Sequence, residues 1–148
     1  MNTPIYRPMT INDYDAAYAL WLRVEGMSLG ASDTREQIAR FLEKNHGLSL
    51  VAEVGGTIVG TILCSHDCRR GYIYHLAVDA EHRGRGIGSA LVTSGIGMLK
   101  GCGIVKCTIL VYRTNEAGTR FWERMGWHRR GDIDAFSLSL QEDRCQTC

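Results

Sequence analysis

One segment restricts the possible folds more than any other: a strand, a glycine loop and a helix follow one another without a break. Residues 72–78 alternate in the manner of a strand, residues 83–88 carry glycine at every second position, and residues 87–100 show helical apolar spacing. Another strand-like run follows at residues 105–111. Because a strand, a helix and a second strand in this order form a crossover unit, the two strands are predicted to lie parallel in one sheet.

The rest of the chain predicts further short elements of a mixed α+β domain. The predicted elements are an opening strand near Ile5, helices at 13–25, 33–44 and 115–125, antiparallel strands at 48–54, 57–64 and 72–78, and a last strand at 135–140. Gly55 and Gly56 predict a tight hairpin turn between the first two antiparallel strands. Asp33 is predicted to cap the second helix, with Glu36 as its capping-box partner.

Composition and charge exclude several classes of protein. The chain has 148 residues, is 45% hydrophobic and contains no repeat or low-complexity linker, so we expect a single domain over residues 1–148. With 17 basic and 16 acidic residues the net charge is +1, and no global field favours nucleic acid. Residues 1–9 do not resemble a signal peptide, and no run approaches the roughly 18 apolar residues of a membrane span. We therefore expect a cytoplasmic protein without membrane or nucleic-acid partners.

The chain has 6 cysteines, and in a cytoplasmic protein of this size reduced thiols are the expected state. The alternative is a zinc site in which two cysteine pairs supply four thiolates. These pairs are Cys64 with Cys68 and Cys145 with Cys148. Because their spacing is a weak match to zinc motifs, the sequence predicts no metal site.

The loop at residues 83–88 is suited to an anion. Its glycines lack the Cβ atoms that would keep a ligand away, and the backbone N–H groups at the start of the following helix attract negative charge together with the helix dipole. His82, Arg83 and Arg85 place positive side chains beside these amides. The sequence therefore predicts a pyrophosphate site at this loop.

Other glycine motifs fit this loop less well. A P-loop NTPase needs Gly-Lys-Ser/Thr after the loop, and this sequence has none there. A dinucleotide-binding fold needs a glycine where Ser89 stands. The remaining alternative is a turn that only packs the helix on the strand, and the adjacent arginines favour the anion site over it.

With these features the sequence resembles the GNAT superfamily of acyl-CoA-dependent N-acyltransferases. The first family motif, Arg/Gln-x-x-Gly-x-Gly/Ala after a Leu-x-Val-like run, corresponds to Arg83–Gly88 after Leu76–Val78. The second, Asn-x-x-Ala followed by Tyr and Gly-Phe, has its counterpart in Asn115–Trp127. The resemblance implies a mixed, splayed sheet with antiparallel N-terminal strands, a parallel central pair around the crossover and about four helices.

The resemblance also implies that the chain uses acetyl-CoA as its cosubstrate and transfers the acetyl group directly to an amine. Loop amides would hold the CoA pyrophosphate, the strand before the loop would pair with the pantetheine arm, and an asparagine would contact CoA near its thiol. The residues assigned to acetyl-CoA in this way are Leu76, Ala77, Val78, Arg83, Gly84, Arg85, Gly86, Ile87, Gly88, Ser89 and Asn115.

The catalytic groups depart from the family pattern. The tyrosine that serves many GNAT enzymes as general acid falls on Trp122, and an indole N–H is not a practical proton donor. Where some relatives carry a base on the strand, this chain has Tyr72 and Tyr74. A phenol is a poor base at neutral pH but can order a water that relays a proton, so these two tyrosines are the predicted catalytic residues.

Three other side chains are weaker candidates. Strand alternation places His75 on the opposite face from Tyr72 and Tyr74, which predicts a packed or surface histidine instead of a base. Glu25 and Asp67 are within possible reach of the site, although a solvated surface carboxylate is the more usual role for each. They are the next candidates if the tyrosines play no part.

Together these features predict an acetyl-CoA-dependent N-acetyltransferase. The acceptor stays open between a small-molecule amine and a protein N-terminus. The alternative is a sensor or regulatory domain of the same fold that binds acyl-CoA with little or no turnover, and Trp122 is the residue that supports it. A homodimer is also expected, both from the habit of the resembling family and from the apolar residues at 135–140.

Overall fold

The computed structural model describes residues 2–141, which form a five-stranded sheet with helices on both faces. The strands are β1 (Ile5–Pro8), β2 (Leu50–Val54), β3 (Thr57–His66), β4 (Gly71–Val78) and β5 (Cys107–Ile109). The helices are α1 (Tyr14–Arg23), α2 (Arg35–Lys44), α3 (Ile87–Gly101) and α4 (Glu116–Arg124). The strands follow one another in sheet order, antiparallel from β1 to β4 and parallel between β4 and β5. The predicted mixed α+β fold, with its parallel pair around the crossover, is confirmed.

Each face of the sheet covers its own apolar core, and strand alternation explains the division. In β2, Leu50 and Ala52 face α3, whereas Val51 between them faces α1 and α2. From the helices, α3 contributes Leu91 to one core and α1 contributes Trp21 to the other, and both side chains are buried. The sheet is thus a layer between two helical layers.

β2 and β3 form the hairpin that the glycine pair predicts. Gly55 and Gly56 have φ angles of 59° and 81°, values that a tight turn requires and that glycine adopts without steric cost.

β4 and β5 pair over a short length and then separate. Their register joins Gly71 to Cys107, Tyr72 to Thr108 and Ile73 to Ile109. Among the described residues, the edge of residues 74–78 that faces β5 has no strand partner. The sheet is therefore splayed at the end of β4 that leads into α3, and we call this opening the fork.

The start of α2 differs from the prediction. The N-cap is Thr34, whose side-chain hydroxyl accepts a hydrogen bond from the backbone N–H of Gln37 at 3.2 Å. Asp33 instead ends a short 3₁₀ turn, Ala31–Asp33, and its carboxylate accepts a hydrogen bond from Gly30 N, at the start of that turn. The predicted cap at Asp33 is wrong because a threonine one residue later has the extended backbone that a cap needs.

The strands after α3 also differ from the predictions. β5 covers a shorter stretch than the predicted 105–111, and no strand forms at 135–140 in the described part of the chain. In that segment Phe136, Leu138 and Leu140 are 94%, 84% and 90% exposed. Alternation produces a strand only where a neighbour completes its backbone hydrogen bonds, and residues 2–141 place no strand beside this segment.

Between residues 2 and 141, no helix is long and apolar enough to cross a membrane. Of the cysteines weighed as a zinc site, Cys64 is buried and Cys68 is exposed, while Cys145 and Cys148 lie outside the described residues. Burial raises the pKa of the Cys64 thiol to about 12, so this side chain stays protonated at neutral pH and belongs to the core.

Candidate active site

The glycine loop between β4 and α3 has the backbone of an anion site. Gly84 and Gly86 have φ angles of 77° and 78°, in the left-handed region that favours glycine. Gly86 is also the N-cap residue of α3. A Cβ built on either residue would meet no atom within 4 Å, so the space around both positions is open.

The amide N–H groups of this loop are free to bind a ligand. Within residues 2–141, the N–H groups of Gly84, Arg85 and Gly86 donate to no protein acceptor. The amides of Ile87–Ser89 belong to the first turn of α3, where no intrahelical acceptor exists for them. This continuous run of N–H groups stands at the positive end of a 15-residue helix and fits a pyrophosphate.

Two arginines supply positive charge beside these amides. Arg85 lies 2.9 Å from His82 Nδ1 through Nη1, and it donates to the backbone oxygen of Asn2 at 2.8 Å, which ties the loop to the N-terminal segment. Arg83 is exposed and donates through Nε to the backbone oxygen of Val78 at 3.4 Å. In the part of the chain that the structure describes, neither guanidinium forms an ion pair with a carboxylate. Both charges are therefore available to an anionic ligand.

The strand residues assigned to the pantetheine arm lie at the fork. Leu76 and Val78 pack against the core on the α3 face, and Ala77 packs on the opposite face. The β5-facing edge of this stretch is unpaired among the described residues, and it leads directly into the glycine loop. The strand edge and the loop thus form one continuous path of backbone hydrogen-bonding groups, which fits an extended arm that ends in a pyrophosphate.

Asn115 lies between α4 and the turn that follows α1. Its Oδ1 accepts a hydrogen bond from Gly118 N at 2.9 Å and so caps α4. Its Nδ2 lies so near Gly26 that a Cβ built there would be 2.7 Å away. Nδ2 makes no hydrogen bond to any other described residue, so a donor remains for a ligand while the oxygen holds the helix.

β4 contains a bulge that changes which face its side chains occupy. The register with β3 joins Leu63 to Tyr74 and Thr61 to Ala77. His75 and Leu76 therefore lie opposite a single residue of β3, and His75 takes a φ of 48°, an uncommon value outside glycine. Both Tyr74 and His75 contact aromatic side chains of the α1 and α2 layer. The prediction that His75 faces away from Tyr72 and Tyr74 is wrong, because simple alternation does not hold across a bulge.

His75 forms a hydrogen-bonded pair with Asp33. The Nε2 and Oδ1 atoms are 2.6 Å apart, and the two side chains are only 14% and 12% exposed. The other carboxylate oxygen of Asp33 accepts the Gly30 N–H at 2.9 Å, and the imidazole packs on Trp21 with ring centroids 4.6 Å apart. The partners are 42 residues apart in sequence, and no local motif indicates that they meet.

Tyr72 and Tyr74 are brought together on the same face. Their rings are 17° from parallel with centroids 6.4 Å apart, and Tyr74 packs edge-on against Phe41 of α2 while remaining 40% exposed. Partial burial raises the pKa of Tyr74, so its phenol stays protonated at neutral pH. A hydroxyl in this state can order a water and is a poor base.

The position of the usual tyrosine acid holds a packing residue. Trp122 stacks edge-on with Phe121 at 5.2 Å and with Trp127 at 4.9 Å between ring centroids, and all three pack against the core on the α3 face. Its indole anchors α4 on the sheet.

The two carboxylates weighed as reserve bases lie in ordinary surface positions. Asp67 accepts the backbone N–H groups of Arg69 at 2.9 Å and Arg70 at 2.8 Å, and the hydrogen bonds from these two amides lower its pKa. Glu25 is exposed in the turn after α1. Asp67 thus stabilises the β3–β4 turn.

Comparisons with known proteins agree with this geometry. The model of the acetyltransferase (GNAT) family matches residues 14–127. An acetyltransferase of Pectobacterium atrosepticum is 33% identical over 135 residues, which cover 90% of this chain and 93% of the relative. The match therefore extends over nearly the full length of both chains.

Two solved structures share the fold. PaiA N-acetyltransferase from Thermoplasma acidophilum, in complex with coenzyme A, superposes with a TM-score of 0.78 at 19% identity over 89% of this chain and 93% of that one. The ribosomal-protein-alanine N-acetyltransferase from Brucella melitensis superposes with a TM-score of 0.69 at 18% identity over 93% of this chain and 99% of that one. With the family match, the curated relative and the fold in agreement, the chain belongs to the acetyltransferase (GNAT) family and uses acetyl-CoA as its cosubstrate.

Proposed function

We propose that this chain transfers the acetyl group of acetyl-CoA directly to a primary amine. The observation that carries the proposal is the continuity of the fork with the glycine loop. Residues 76–78 offer an unpaired strand edge, and residues 84–89 offer free amides at a helix N-terminus. With its pyrophosphate on the loop and its arm along the strand, acetyl-CoA presents its thioester inside the fork.

In this proposal each element of the site has one task. The amides from Gly84 to Ser89 hold the pyrophosphate with the Arg83 side chain beside them, and the backbone of Leu76, Ala77 and Val78 pairs with the pantetheine arm. The N–H at Leu76 polarises the thioester carbonyl as negative charge develops on its oxygen. Asn115 donates through Nδ2 near the thiol end, the one polar group that its capping role leaves free.

Tyr72 and Tyr74 order a water on the α2 face of the fork. The raised pKa and partial exposure of Tyr74 favour a hydroxyl that donates to this water and does not ionise. The acceptor is a small-molecule amine or a protein N-terminus. Support for the amine comes from solved structures of the same fold whose names describe N-acetyltransferases, one of them acting on a ribosomal-protein alanine.

A thiol-release assay with acetyl-CoA tests the proposal. The acceptors are an alanyl peptide, a seryl peptide, a polyamine and an amino sugar, each compared with its N-acetylated form. Release of free CoA above the background with at least one free amine, together with a mass increase of that amine, supports N-acetylation. Lack of release with every acceptor, while acetyl-CoA still raises the melting temperature, contradicts it.

That second outcome would favour the alternative function, a domain that binds acyl-CoA with little or no turnover. The observation behind this alternative is Trp122, which packs against Phe121 and Trp127 and leaves no hydroxyl where the usual acid stands. Expulsion of the CoA thiolate does not require that acid, because a thiolate is a tolerable leaving group near neutral pH. The enzyme therefore remains the main proposal.

A homodimer is part of the proposal, with a second copy of this chain as the partner. The segment 135–140 alternates apolar and small residues and is exposed along its length, and β5 is an edge strand of the sheet among the described residues. Addition of the segment to the β5 edge of a second copy would supply the hydrogen bonds that it lacks here. Beside that edge, Val105 and Leu110 are 93% and 75% exposed.

Light scattering at micromolar concentration tests the dimer. A dimer mass for the unmutated chain, reduced to a monomer mass by the double change Phe136→Ser and Leu138→Ser, supports strand addition. Ile5→Ser is the matched control, because Ile5 is 62% exposed on the opposite edge strand, β1, and its loss should leave the dimer intact. A monomer mass for the unmutated chain refutes the dimer.

A further inference from the structure

We propose that His75 is the general base of the reaction and that Asp33 positions its imidazole. The inference rests on the proposed function, because it names the group that takes the proton from the attacking amine. It starts from the partly buried hydrogen bond between His75 Nε2 and Asp33 Oδ1, at 2.6 Å, on the face of β4 opposite to α3.

The pair is located at the fork. The last β4–β5 partners are Ile73 and Ile109, and His75 follows two residues later, where the strand edge has become free. The bulge turns its side chain toward α1 and α2, whereas α3 and its glycine loop lie at the other face. The acetyl donor and an amine that enters from the α2 face would therefore meet beside this imidazole, and the 40% exposure of Tyr74 leaves that face open.

The hydrogen bonds select the tautomer that a base requires. A carboxylate accepts a hydrogen bond from an Nε2–H group, so Asp33 favours the form in which Nε2 carries hydrogen and Nδ1 holds a lone pair. Nδ1 has no hydrogen-bond partner among residues 2–141. Every buried side-chain nitrogen or oxygen in that range does have a partner, so Nδ1 is not one of the buried atoms. Nδ1 is therefore accessible to solvent, which leaves it available to a substrate.

The structure holds His75 in a costly backbone conformation. A φ of 48° is unfavourable in a residue other than glycine and persists only when neighbours fix it. Here the backbone oxygen of His75 accepts the Thr61 hydroxyl at 2.8 Å, and that hydroxyl in turn accepts the indole N–H of Trp21 at 2.8 Å. The bulge, the buried hydroxyl and the carboxylate thus all fix the direction of one imidazole.

The proposed step balances as follows. The amine nitrogen forms a bond to the thioester carbonyl carbon while Nδ1 of His75 takes one proton from that nitrogen. The C–S bond breaks, and its electron pair leaves with the CoA sulfur. His75 then loses its proton to solvent, and the thiolate gains one from solvent. Tyr72 and Tyr74 order the water through which this exchange runs, and Asp33 orients the imidazole without taking the proton.

The first test measures the imidazole directly and needs no acceptor. Nitrogen NMR of labelled histidine side chains distinguishes the protonated from the unprotonated ring nitrogen. At a pH where the ring is neutral, we expect His75 with hydrogen on Nε2, and we expect Asp33→Asn to lose this preference. A neutral ring with hydrogen on Nδ1 in the unmutated chain would overturn the inference.

The second test separates turnover from binding, with the amine that gives the highest rate in the acceptor panel. His75→Asn removes the imidazole, and asparagine tolerates a positive φ better than most residues. Its kcat should fall by about 10² to 10⁴, the usual worth of general base catalysis, while KM for acetyl-CoA and the acetyl-CoA thermal shift stay within about twofold. Asp33→Asn should lower kcat less, because the base remains but loses its orientation.

His46→Gln is the matched control, since His46 is an exposed histidine after α2 and should keep full turnover. If His75→Asn is folded and keeps kcat within about threefold of the unmutated chain, the base is overturned while the proposed function stands. If the unmutated chain acetylates no amine, the proposed function itself fails and the base fails with it. The two failures are therefore distinguishable.

Discussion

The two sides of the fork are built in different ways. The donor side consists of the β4 edge, the glycine loop and the start of α3, which are consecutive in sequence, residues 76–89. The acceptor side consists of the β4 bulge, α1, α2 and the turn before α2, and its central contact joins His75 to Asp33 across 42 residues. A site made of consecutive residues depends on backbone conformation, and a site made of distant residues depends on packing. Substitutions should therefore impair the two sides in different measurable quantities.

The largest effect is expected at the donor side, for Gly86→Val. Gly86 has a φ of 78° and open space where a ligand would lie, so valine both strains the backbone and occupies the path of the pyrophosphate. Acetyl-CoA should raise the melting temperature of the unmutated chain, since saturation at about 100 times Kd adds about 2.7 kcal/mol to the free energy of unfolding. We expect Gly86→Val to abolish this shift.

The control for this change is Gly103→Val, at the other end of α3. Gly103 has a φ of 83° and likewise nothing within 4 Å of a built Cβ, so the two substitutions carry a similar strain of about 1–2 kcal/mol. Both variants should melt at a lower temperature without ligand, and only Gly86→Val should lose the acetyl-CoA shift. If acetyl-CoA raises the melting temperature of both variants equally, the assignment of the pyrophosphate to this loop is contradicted. Gly88 is less suitable, because a Cβ there would already be 3.4 Å from Phe121.

The next effect tests how tightly the donor helix is seated on the sheet. A Cβ on Gly95 of α3 would lie 2.8 Å from Cys64 Sγ, a distance that forces the helix or β3 to move. Gly95→Ala should therefore lower the free energy of unfolding by about 1–3 kcal/mol, measured in urea, although alanine is the better helix former. Adding Cys64→Ala removes the sulfur and should recover part of the loss. Gly97→Ala is the control, because Gly97 lies in open space on the same helix, and this change should stabilise the chain. If Gly97→Ala also lowers the free energy of unfolding, the helix is sensitive to any such substitution, and the loss in Gly95→Ala does not come from the contact with Cys64.

A smaller effect is expected on the acceptor side, for Tyr74→Phe and Tyr72→Phe. Each change keeps the stacked ring and removes a hydroxyl that orders water in the proposed relay. The kcat value should fall by less than about tenfold, with KM for acetyl-CoA unchanged, because water remains present without its ordering partner. Steady-state kinetics at saturating amine measure this. Full turnover in both variants would show that the tyrosines play no part in catalysis, and His75 would then act without the proposed water relay.

The same difference between the two sides decides what the sequence can predict. The glycine loop is predictable because the glycines, the arginines and the following helix are contiguous, and each residue type has a local physical reason. The β4 strand is predictable for the same reason, as is its parallel partnership with β5. The fork follows from the family resemblance, and the structure confirms it in the short β4–β5 register.

The acceptor side is not predictable in this way. The bulge at His75 adds one residue to the strand, and a period-two pattern cannot show where such a residue lies. Asp33 has the residue type and the spacing of a helix cap, and only the position of Thr34 and the approach of β4 show its other role. Phe136 and Leu138 have the alternation of a strand, but no strand among the described residues lies beside them to complete its hydrogen bonds.

The smallest expected effect concerns the outer end of the acceptor side, where Arg7 of β1 holds the start of α1. Its guanidinium donates to both carboxylate oxygens of Asp13, at 2.9 Å and 2.8 Å, and this hydrogen bonding lowers the pKa of Asp13. A carboxyl whose folded pKa lies below its unfolded value stabilises the fold above the unfolded pKa, and the stabilisation is lost as pH falls through the folded pKa. As the pH is lowered below about 4, the free energy of unfolding in urea should therefore decrease in the unmutated chain, and less steeply in Asp13→Asn.

Asp15→Asn is the control, because the Asp15 side chain is 91% exposed and its Arg35 partner is 3.4 Å away. The stability of Asp15→Asn should therefore depend on pH as that of the unmutated chain does. If Asp13→Asn shows the same acid sensitivity as the unmutated chain, the ion pair between Arg7 and Asp13 contributes nothing to stability. The α1 layer is then held to the sheet by the apolar core around Trp21 alone.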